Sequence, residues 1–114
     1  MSTDQRAAAS LPALLDVDRV VHEPARLVIL TVLAAAEEVE FKFLEEVIGL
    51  TKGNLSSHIA KLEAAGYVDV LKAFRGKIPV TSFRITAVGR KALRDYRAVV
   101  VSALTPAKGT TGHS

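Results

Sequence analysis

Residues 49–66 read GLTKGNLSSHIAKLEAAG, and the apolar residues of this segment follow a helical period. Large aliphatic side chains recur at intervals of four and three residues, namely Leu55, Ile59 and Leu62. This spacing places them on one face of a helix. Thr51 precedes the run, and its hydroxyl group is a suitable N-cap. The pattern predicts a helix over about residues 51–65 with one buried face.

The opposite face of this predicted helix carries small or polar side chains. Such residues allow a helix backbone to come close to the floor of a DNA major groove, where Asn and Lys side chains bond to bases or phosphates. We therefore predict a recognition helix for double-stranded DNA, with the candidate contacts Thr51, Lys52, Gly53, Asn54, Ser56, Ser57, His58 and Lys61. An ordinary solvated helix face is the alternative. For His58, at the flank of the apolar face, the alternative is a hydrogen-bonded boundary residue.

Further elements are predicted before the recognition helix. Residues 11–21 have apolar positions every three or four residues, which predicts a short amphipathic helix. A nearly all-apolar helix begins at Pro24 and belongs in the core. Residues 40–43 alternate and predict a very short strand, and residues 44–48 predict a two-turn helix closed by Gly49. This last helix and the recognition helix, joined by a tight turn, form a helix-turn-helix.

After the recognition helix the apolar period changes from that of a helix to that of a strand. Alternating residues predict two strands, the first from Val68 and the second ending at Ile85, joined by the basic turn RGKIP at residues 75–79. Arg75 and Lys77 in this turn are candidate contacts to the DNA backbone or minor groove. The alternative is a hairpin tip that is merely exposed and polar.

The order of these elements predicts a mainly α fold with a small β-hairpin, the winged helix-turn-helix, in one domain over residues 10–104. The segments 1–9 and 105–114 have no periodic apolar pattern, and we expect both to be frayed tails. The aromatic residues fall on inward positions of the predicted elements. We therefore expect packing roles, and not base stacking, for Phe41, Phe43, Tyr67, Phe74 and Phe83.

A last helix is predicted after Thr86, whose hydroxyl group is a suitable N-cap. This helix and the first one carry more apolar residues than a domain of this size requires. Burial between two subunits would remove an exposed patch of aggregating size. We therefore predict a homodimer whose interface includes Leu11, Leu14, Leu15, Leu93, Tyr96 and Val100. Packing of the first helix on the last within one chain is the alternative.

Charge is distributed unevenly along the chain. Residues 1–50 carry a net charge of −5 and residues 51–97 a net charge of +7, although the whole chain carries only +3. The positive segment contains both the predicted recognition helix and the predicted wing, which favours a polyanionic partner. A solvated mixture of surface charges is the alternative, because net charge alone supports only non-specific attraction.

The composition disfavours an enzyme. The chain has no cysteine, which excludes disulfides, thiolate metal sites and thiol catalysis. Its three histidines are scattered, and the acidic pairs at residues 37–38 and 45–46 are adjacent in the sequence, so their side chains do not face each other on a helix. We expect no enzymatic activity, no catalytic residue, no metal site and no cofactor.

The longest stretches without a charged residue, 27–36 and 98–107, have ten residues each, whereas a membrane-spanning helix needs about 18 or more. The N-terminal residues are polar and lead into alanines without the apolar segment of a secretory signal. We therefore expect a cytoplasmic protein with no membrane partner.

Three segments resemble the short winged helix-turn-helix transcriptional regulators related to the MarR and ArsR families. They are HEPARLVIL at residues 22–30, LTKGNLSSH leading into KLEAAGYV within residues 50–68, and FRIT followed by GR within residues 83–90. The resemblance covers residues 20–95 and implies a homodimeric regulator that acts by occupying promoter DNA. It does not extend to the metal sensing of ArsR-type proteins, which use cysteines.

Two other functions stay open from the sequence. A winged-helix domain can bind a partner protein with the same helix and hairpin, with its positive half against an acidic surface. A small-molecule effector bound at a dimer interface is a further possibility, although no residue of the chain identifies such a molecule.

Overall fold

The structure is a computed structural model that describes residues 11–105. A 3-10 helix at Leu11–Asp16 comes first. The helices that follow are α1 (Pro24–Ala34), α2 (Phe41–Ile48), α3 (Lys52–Ala64) and α4 (Ala87–Leu104), and the strands are β1 (Val39–Glu40), β2 (Val68–Arg75) and β3 (Ile78–Ile85). This order confirms the predicted winged helix-turn-helix. The tails predicted at residues 1–9 and 105–114 lie outside the described residues, except for Thr105.

The three strands form one antiparallel sheet in which β3 lies between β1 and β2. The hairpin of β2 and β3 runs from Val68 opposite Ile85 to Arg75 opposite Ile78. The short strand β1 pairs with the other edge of β3. Because α2 begins at the residue after β1, this pairing holds the start of the helix-turn-helix against the base of the hairpin.

Two threonines cap helices as the sequence predicted. The Thr51 hydroxyl accepts a hydrogen bond from the N–H of Asn54 at 3.1 Å, at the start of α3. The Thr86 hydroxyl accepts one from the N–H of Gly89 at 2.9 Å, at the start of α4. Each cap satisfies a backbone N–H that has no partner within its helix, and such caps stabilise by about 1 kcal/mol.

The core is formed by side chains from the helices and from the inner face of the sheet. Its fully buried members are Val21, Ile29, Leu30, Leu33, Leu44, Leu55, Leu62, Val68 and Phe83. Leu55, Ile59 and Leu62, predicted as the inward face of the recognition helix, are all buried. Burial of each such side chain stabilises by about 1.5–3 kcal/mol, so this face fixes how α3 is turned about its own axis.

The N-terminal segment does not form the amphipathic helix predicted over residues 11–21. Its 3-10 helix ends at Asp16, and turns follow. The carboxylate of Asp18 accepts hydrogen bonds from the N–H groups of Val20 and Val21 at 2.8 and 3.2 Å. Such local side-chain bonds compete with the helical pattern, and they explain why the predicted helix is interrupted.

The predicted short strand is displaced towards the N terminus. It was expected at residues 40–43, but β1 is Val39–Glu40 and α2 already includes Phe41. The alternation that predicted the strand was too short to separate it from the first turn of a helix. Only pairing with β3, a long-range contact, decides where the strand ends.

The hairpin is longer and its turn tighter than predicted. Arg75 is the last residue of β2 and Pro79 lies within β3, so only Gly76 and Lys77 form the turn. Gly76 has a φ of +66°, and no residue other than glycine has a positive φ among those described. A two-residue turn with glycine at its first position matches the natural twist of a hairpin.

The prediction that the aromatic residues pack inward holds for some of them only. Phe83 is 2% exposed, and its ring lies 6.0 Å from that of Phe41. Tyr67 is half-buried. The prediction is wrong for Phe43, which is 51% exposed on α2, and for Phe74, which is 74% exposed on β2. The strand that carries Phe74 extends past the end of the core.

Gly89 allows α4 to pass close to the segment after α3. A Cβ atom at this position would overlap the backbone carbonyl oxygen of Tyr67 and would lie 3.0 Å from the Ile85 side chain. We expect Gly89→Ala to destabilise the protein by about 1–3 kcal/mol, the usual cost of overpacking. Urea unfolding, followed by circular dichroism, measures this change.

Gly53→Ala is the matched control, since Gly53 also lies in the first turn of a helix but has nothing within 4 Å of an added Cβ atom. Alanine favours a helix over glycine by up to about 1 kcal/mol, so this variant is expected to unfold at a slightly higher urea concentration than the wild type. Equal stabilities for the two variants would contradict the close approach at Gly89.

Candidate nucleic-acid interface

A short turn containing Gly49 sets the position of α3 relative to α2. Gly49 has a φ of +78°, and its N–H donates to the carbonyl oxygen of Glu45 at 3.0 Å. A side chain would strain this left-handed conformation. Leu50 and Thr51 follow, and α3 begins at the next residue. The two helices and this turn form the predicted helix-turn-helix.

The outward face of α3 is open to solvent. The small and polar residues predicted there are all exposed, namely Thr51, Lys52, Gly53, Asn54, Ser56, Ser57 and Lys61. Their exposure follows from the burial of the opposite face, because both faces belong to one rigid helix. The contact of these residues with DNA stays a prediction.

His58 differs from the other candidates on α3 because it is half-buried. The guanidinium of Arg26, on α1, donates to the Nδ1 atom of His58 at 3.2 Å. Arg26 Nε also donates to the carbonyl oxygen of Val20 at 2.6 Å. These bonds tie α3 to α1 and the segment before it, so they favour the boundary role of His58. A DNA contact by His58 stays a prediction.

Glu23 completes this cluster and caps α1. Its carboxylate accepts a hydrogen bond from the N–H of Arg26 at 2.9 Å and lies 3.8 Å from His58 Nδ1. The pKa of Glu23 is below its usual value, chiefly because of that backbone hydrogen bond, and nearby His58 and Arg26 lower it further while burial opposes them. The Glu23 carboxylate therefore keeps its negative charge at the N-cap of α1, where the helix dipole favours it.

The wing, residues 68–85, presents two cations at its tip. Arg75 ends β2 and Lys77 lies in the turn, and both are exposed. The guanidinium of Arg75 donates to the carboxylate of Glu40 at 2.5 Å. An exposed ion pair of this kind contributes about 1 kcal/mol or less. A phosphate group can therefore replace Glu40 at small cost.

An open cleft of about 580 Å³ lies between the wing and the start of α3. Lys52 and Arg75 line it, together with Lys42 of α2 and the carboxylates of Glu40 and Glu45. The sequence predicted the first two of these residues as a site but not the other three. The alternation near residue 40 predicted a strand but did not identify its pairing partner. That partner, β3, is far away in the sequence, and pairing with it brings these side chains to the wing.

Tyr67 fixes the other end of α3. Its hydroxyl donates to the carboxylate of Asp18, and its N–H donates to the carbonyl oxygen of Leu62 at 2.9 Å. Its carbonyl oxygen accepts from the N–H of Thr86 at 3.0 Å. The bond to Asp18 raises the pKa of Tyr67 to about 12, and burial and the charge of Asp18 add to this effect. The end of α3 is thus joined to the N-terminal segment and to α4.

The residues predicted for a dimer interface are in different environments. Leu15 is 73% exposed, and Val100 and Leu14 are half-buried. Tyr96 is half-buried and its hydroxyl lies 2.8 Å from Nδ1 of His22. Leu93 is buried in the chain's own core, and its place in a dimer interface stays a prediction. The side chain of Leu11 lies outside what the structure describes.

The N-terminal 3-10 helix packs against α4 within the chain, as the alternative to a dimer requires. This packing does not cover the whole of α4. An open, mainly apolar groove of about 260 Å³ remains between α1 and α4, lined by Leu27, Thr31, Leu93, Tyr96, Arg97, Val100 and Val101. The last turns of α4 therefore keep apolar surface that the described part of the chain leaves uncovered.

Within residues 11–105, no group of three or more His, Cys, Asp or Glu side chains could hold a metal ion. Over the same residues, no helix is both long enough and apolar enough to cross a membrane.

The winged fold, the open face of α3 and the basic tip of the wing together define a class of nucleic-acid-binding domain. A family model described as a winged helix DNA-binding domain matches residues 25–104. The chain belongs to this family. The predicted resemblance to winged helix transcriptional regulators is thereby confirmed, and the narrower link to the MarR and ArsR groups stays a prediction.

Two known proteins show how far this similarity extends. A solved structure described as a transcriptional regulator homologue from Pyrococcus horikoshii OT3 matches with a TM-score of 0.74 and 28% identity, over 81% of this chain and 90% of that one. An uncharacterized protein of Methanocaldococcus jannaschii is 37% identical over 79 residues, which are 68% of this chain and 85% of that protein. The family and the solved structure support a DNA-binding regulator and agree with the expectation of a protein that is not an enzyme.

The pKa of Tyr67 predicts how its hydrogen bond responds to alkaline pH. We expect its phenol to ionise near pH 12 and not near 10. Because the pKa is higher in the folded state, the stability from this bond is fully present below about pH 10 and is lost as the pH rises towards 12. Tyrosinate absorbance of a Tyr96→Phe variant, in which Tyr67 is the remaining one of two tyrosines, measures the ionisation.

Adding Asp18→Asn to the same variant removes the negative charge that faces the phenol. The pKa of Tyr67 is then expected to fall towards 10. If circular dichroism shows that both variants are folded and their titration curves are the same with and without Asp18, the assigned hydrogen bond is ruled out.

Proposed function

We propose that this protein is a transcriptional regulator that binds specific sequences of double-stranded DNA as a homodimer. In this proposal α3 enters the major groove, and the wing holds the flanking backbone or minor groove. The observation that carries it is the position of Lys52 and Arg75 on one cleft, between the open face of α3 and the tip of the wing. A DNA backbone strand that passes through this cleft meets cations on both sides.

The residues of α3 would have different tasks in this complex. Asn54 and Lys61 carry side chains that can hydrogen-bond to base edges, and Asn pairs well with adenine. Lys52 lies at the first turn of α3, where helix N–H groups also attract a phosphate. Ser56 and Ser57 are short enough to let the helix approach the bases. Thr51 and Gly53 are also small, so they let the start of the helix approach in the same way.

The wing cations would act without regard to sequence. Arg75 and Lys77 are long, exposed side chains at the end of a projecting hairpin, and such residues contact phosphates or the minor groove. On binding, Arg75 exchanges Glu40 for a phosphate. Contacts of this kind supply affinity and make it depend strongly on salt concentration.

A second copy of the chain would complete the regulator. The groove between α1 and α4 is mainly apolar, and exposed Val101 and Leu104 extend its apolar surface to the end of α4. Exposed Leu15 lies on the 3-10 helix packed against α4. Two copies joined through these surfaces present two α3 helices to DNA. Half-sites about 34–36 Å apart, one helical turn, suit such a dimer.

A protein-binding winged-helix module is the rival function. The uneven charge of the chain would also suit an acidic protein surface. The cations lie on both α3 and the wing. A DNA duplex explains this distribution better than an acidic protein surface does, because a duplex contacts both elements at once. The family to which the chain belongs supports the same choice.

DNA binding is tested by fluorescence anisotropy with a labelled duplex from upstream of the protein's own gene and a scrambled duplex of equal length. We expect preference for the upstream duplex, with log affinity falling steeply against log salt concentration. Asn54→Ala or Lys61→Ala is expected to cost about 1–3 kcal/mol on the upstream duplex and to reduce the preference. Arg75→Ala with Lys77→Ala is expected to weaken binding to both duplexes and to flatten the salt slope by about two, one for each phosphate contact.

Glu63→Gln serves as a control for these variants, since Glu63 is exposed on α3 near its C-terminal end and removal of its charge adds no contact. It is expected to retain the preference for the upstream duplex. Unaltered affinity and salt slope in the Arg75, Lys77 double variant would show that the wing does not touch DNA. Absence of binding to either duplex at low salt would favour the protein-binding module.

The dimer is tested by sedimentation equilibrium. We expect the wild type to sediment with twice the chain mass of 12.2 kDa. Leu15→Glu with Val101→Glu places charges on exposed positions of the proposed interface, so it is expected to give a folded monomer. Val88→Glu, at an exposed position near the opposite end of α4, is expected to remain a dimer. A monomeric wild type at micromolar concentration contradicts the interface.

A further inference from the structure

The tip of the wing exposes large apolar side chains beside its cations. Phe74 and Ile78, which flank the turn on either strand, are 74% and 67% exposed. Nearer the base of the same hairpin, Phe83 is almost completely buried. The apolar surface of the hairpin therefore continues beyond the core to a tip that no other described residue covers.

The register of the hairpin places these side chains on its two opposite faces. Phe74 lies opposite Pro79 on one face, and Ile78 lies opposite Arg75 on the other, because successive residues of a strand alternate. Lys77 projects from the turn between them. The tip thus has an apolar side chain on each face and two cations within three residues, in a turn of minimal length.

We propose that the wing tip acts as a wedge in the DNA minor groove, where Phe74 and Ile78 press against the bases and partly unstack one base step. Arg75 and Lys77 hold the phosphates on either side. This proposal rests on the proposed DNA-binding function and adds a mode of recognition to it. Apolar wedges of Phe and Ile are known to unstack base steps in this way and to kink the duplex towards the major groove.

The dimensions of the hairpin require the DNA to deform. The minor groove of B-DNA is about 6 Å wide, whereas a pair of strands with side chains on both faces is about 10 Å thick, the distance between stacked sheets. The groove must therefore widen to admit the tip. The apolar side chains stabilise the widened groove, because they lose contact with water when they meet the bases.

DNA is a better occupant of this tip than a second copy of the chain. The tip belongs to the half of the sequence with a net charge of +7, so the tips of two copies repel each other. The apolar residues lie next to cations that attract phosphates, and Ile78 lines the cleft that contains Lys52. Contact with a duplex satisfies both the charges and the apolar surface.

The wedge gives the protein a preference at bases that α3 does not touch. Pyrimidine–purine steps unstack most easily, so they are favoured beneath the wing. A duplex that is already distorted costs less to open and is bound more tightly. This preference is the property that distinguishes a wedge from a tip that only contacts phosphates.

The test compares two duplexes of the same sequence, one intact and one with a two-base bulge, in competition anisotropy with the full chain. The wild type is expected to prefer the bulged duplex by ~10-fold or more. The double variant Phe74→Ser with Ile78→Thr is expected to bind the intact duplex but to retain less than about a twofold preference for the bulge. Energy transfer between dyes at the two ends of the bulged duplex measures the bend that accompanies binding.

Two matched controls separate a wedge from other causes. Phe43→Ser removes an equally large exposed aromatic side chain on α2, and it is expected to retain the preference for the bulge. Arg75→Ala with Lys77→Ala is expected to weaken binding to both duplexes by a similar factor. Circular dichroism confirms that each variant is folded.

Three results would overturn the wedge. The first is a wild type that binds both duplexes equally, which leaves DNA binding intact. The second is a Phe74, Ile78 variant that loses affinity for both duplexes by the same factor, as a plain surface contact would. The third is a change of oligomeric state in that variant with an unchanged preference, which would assign the tip to an interface between copies. Failure to bind any duplex would instead overturn the proposed function itself.

Discussion

Burial of one face of α3 is the constraint on which the rest of the candidate interface depends. Leu55, Ile59 and Leu62 pack into the core beside α1 and β2, and they leave only one way for the helix to be turned. Gly49 holds the start of α3 close to α2, and the hydrogen bond between Tyr67 and Asp18 holds the segment that follows it. Because both ends and one face are fixed, the outward side chains are presented as a rigid surface. A rigid surface binds a groove with little loss of conformational entropy.

The short strand β1 brings carboxylates close to the arginines of the wing. Its pairing with β3 brings Glu40 to Arg75, and just before it Glu38 bonds to Ser82 and lies 3.6 Å from Arg84. Both wing arginines therefore have a carboxylate partner in the free protein. Exposed pairs of this kind are weak, so a phosphate can displace them. In the proposed complex with DNA, these carboxylates would reduce indiscriminate attraction while leaving the cations available to a well-placed backbone.

Five of the nine large apolar residues that are exposed in the described part of the chain lie on the two surfaces used in the proposals, namely Leu15, Phe74, Ile78, Val101 and Leu104. A small domain buries a limited fraction of its surface, and scattered apolar exposure requires no explanation. At the wing tip and along the end of α4, however, such residues lie near one another beside positive charge or beside an open groove. DNA and a second copy of the chain are the partners proposed for these two surfaces. Val28, Phe43, Val47 and Val88 are also exposed, and nothing in the structure explains them.

The sequence by itself determined the element order, the buried face of α3, the caps at Thr51 and Thr86, and the exposure of the candidate DNA contacts other than His58. Each depends on residues within a few positions of one another, so local periodicity and hydrogen bonding suffice. Only the tertiary structure decided that His58 bonds to Arg26, that Glu40 holds Arg75, that Leu93 is buried and that Phe74 is not. These outcomes depend on which distant segments meet and on where the core ends, and the period of a single helix or strand contains no information about either.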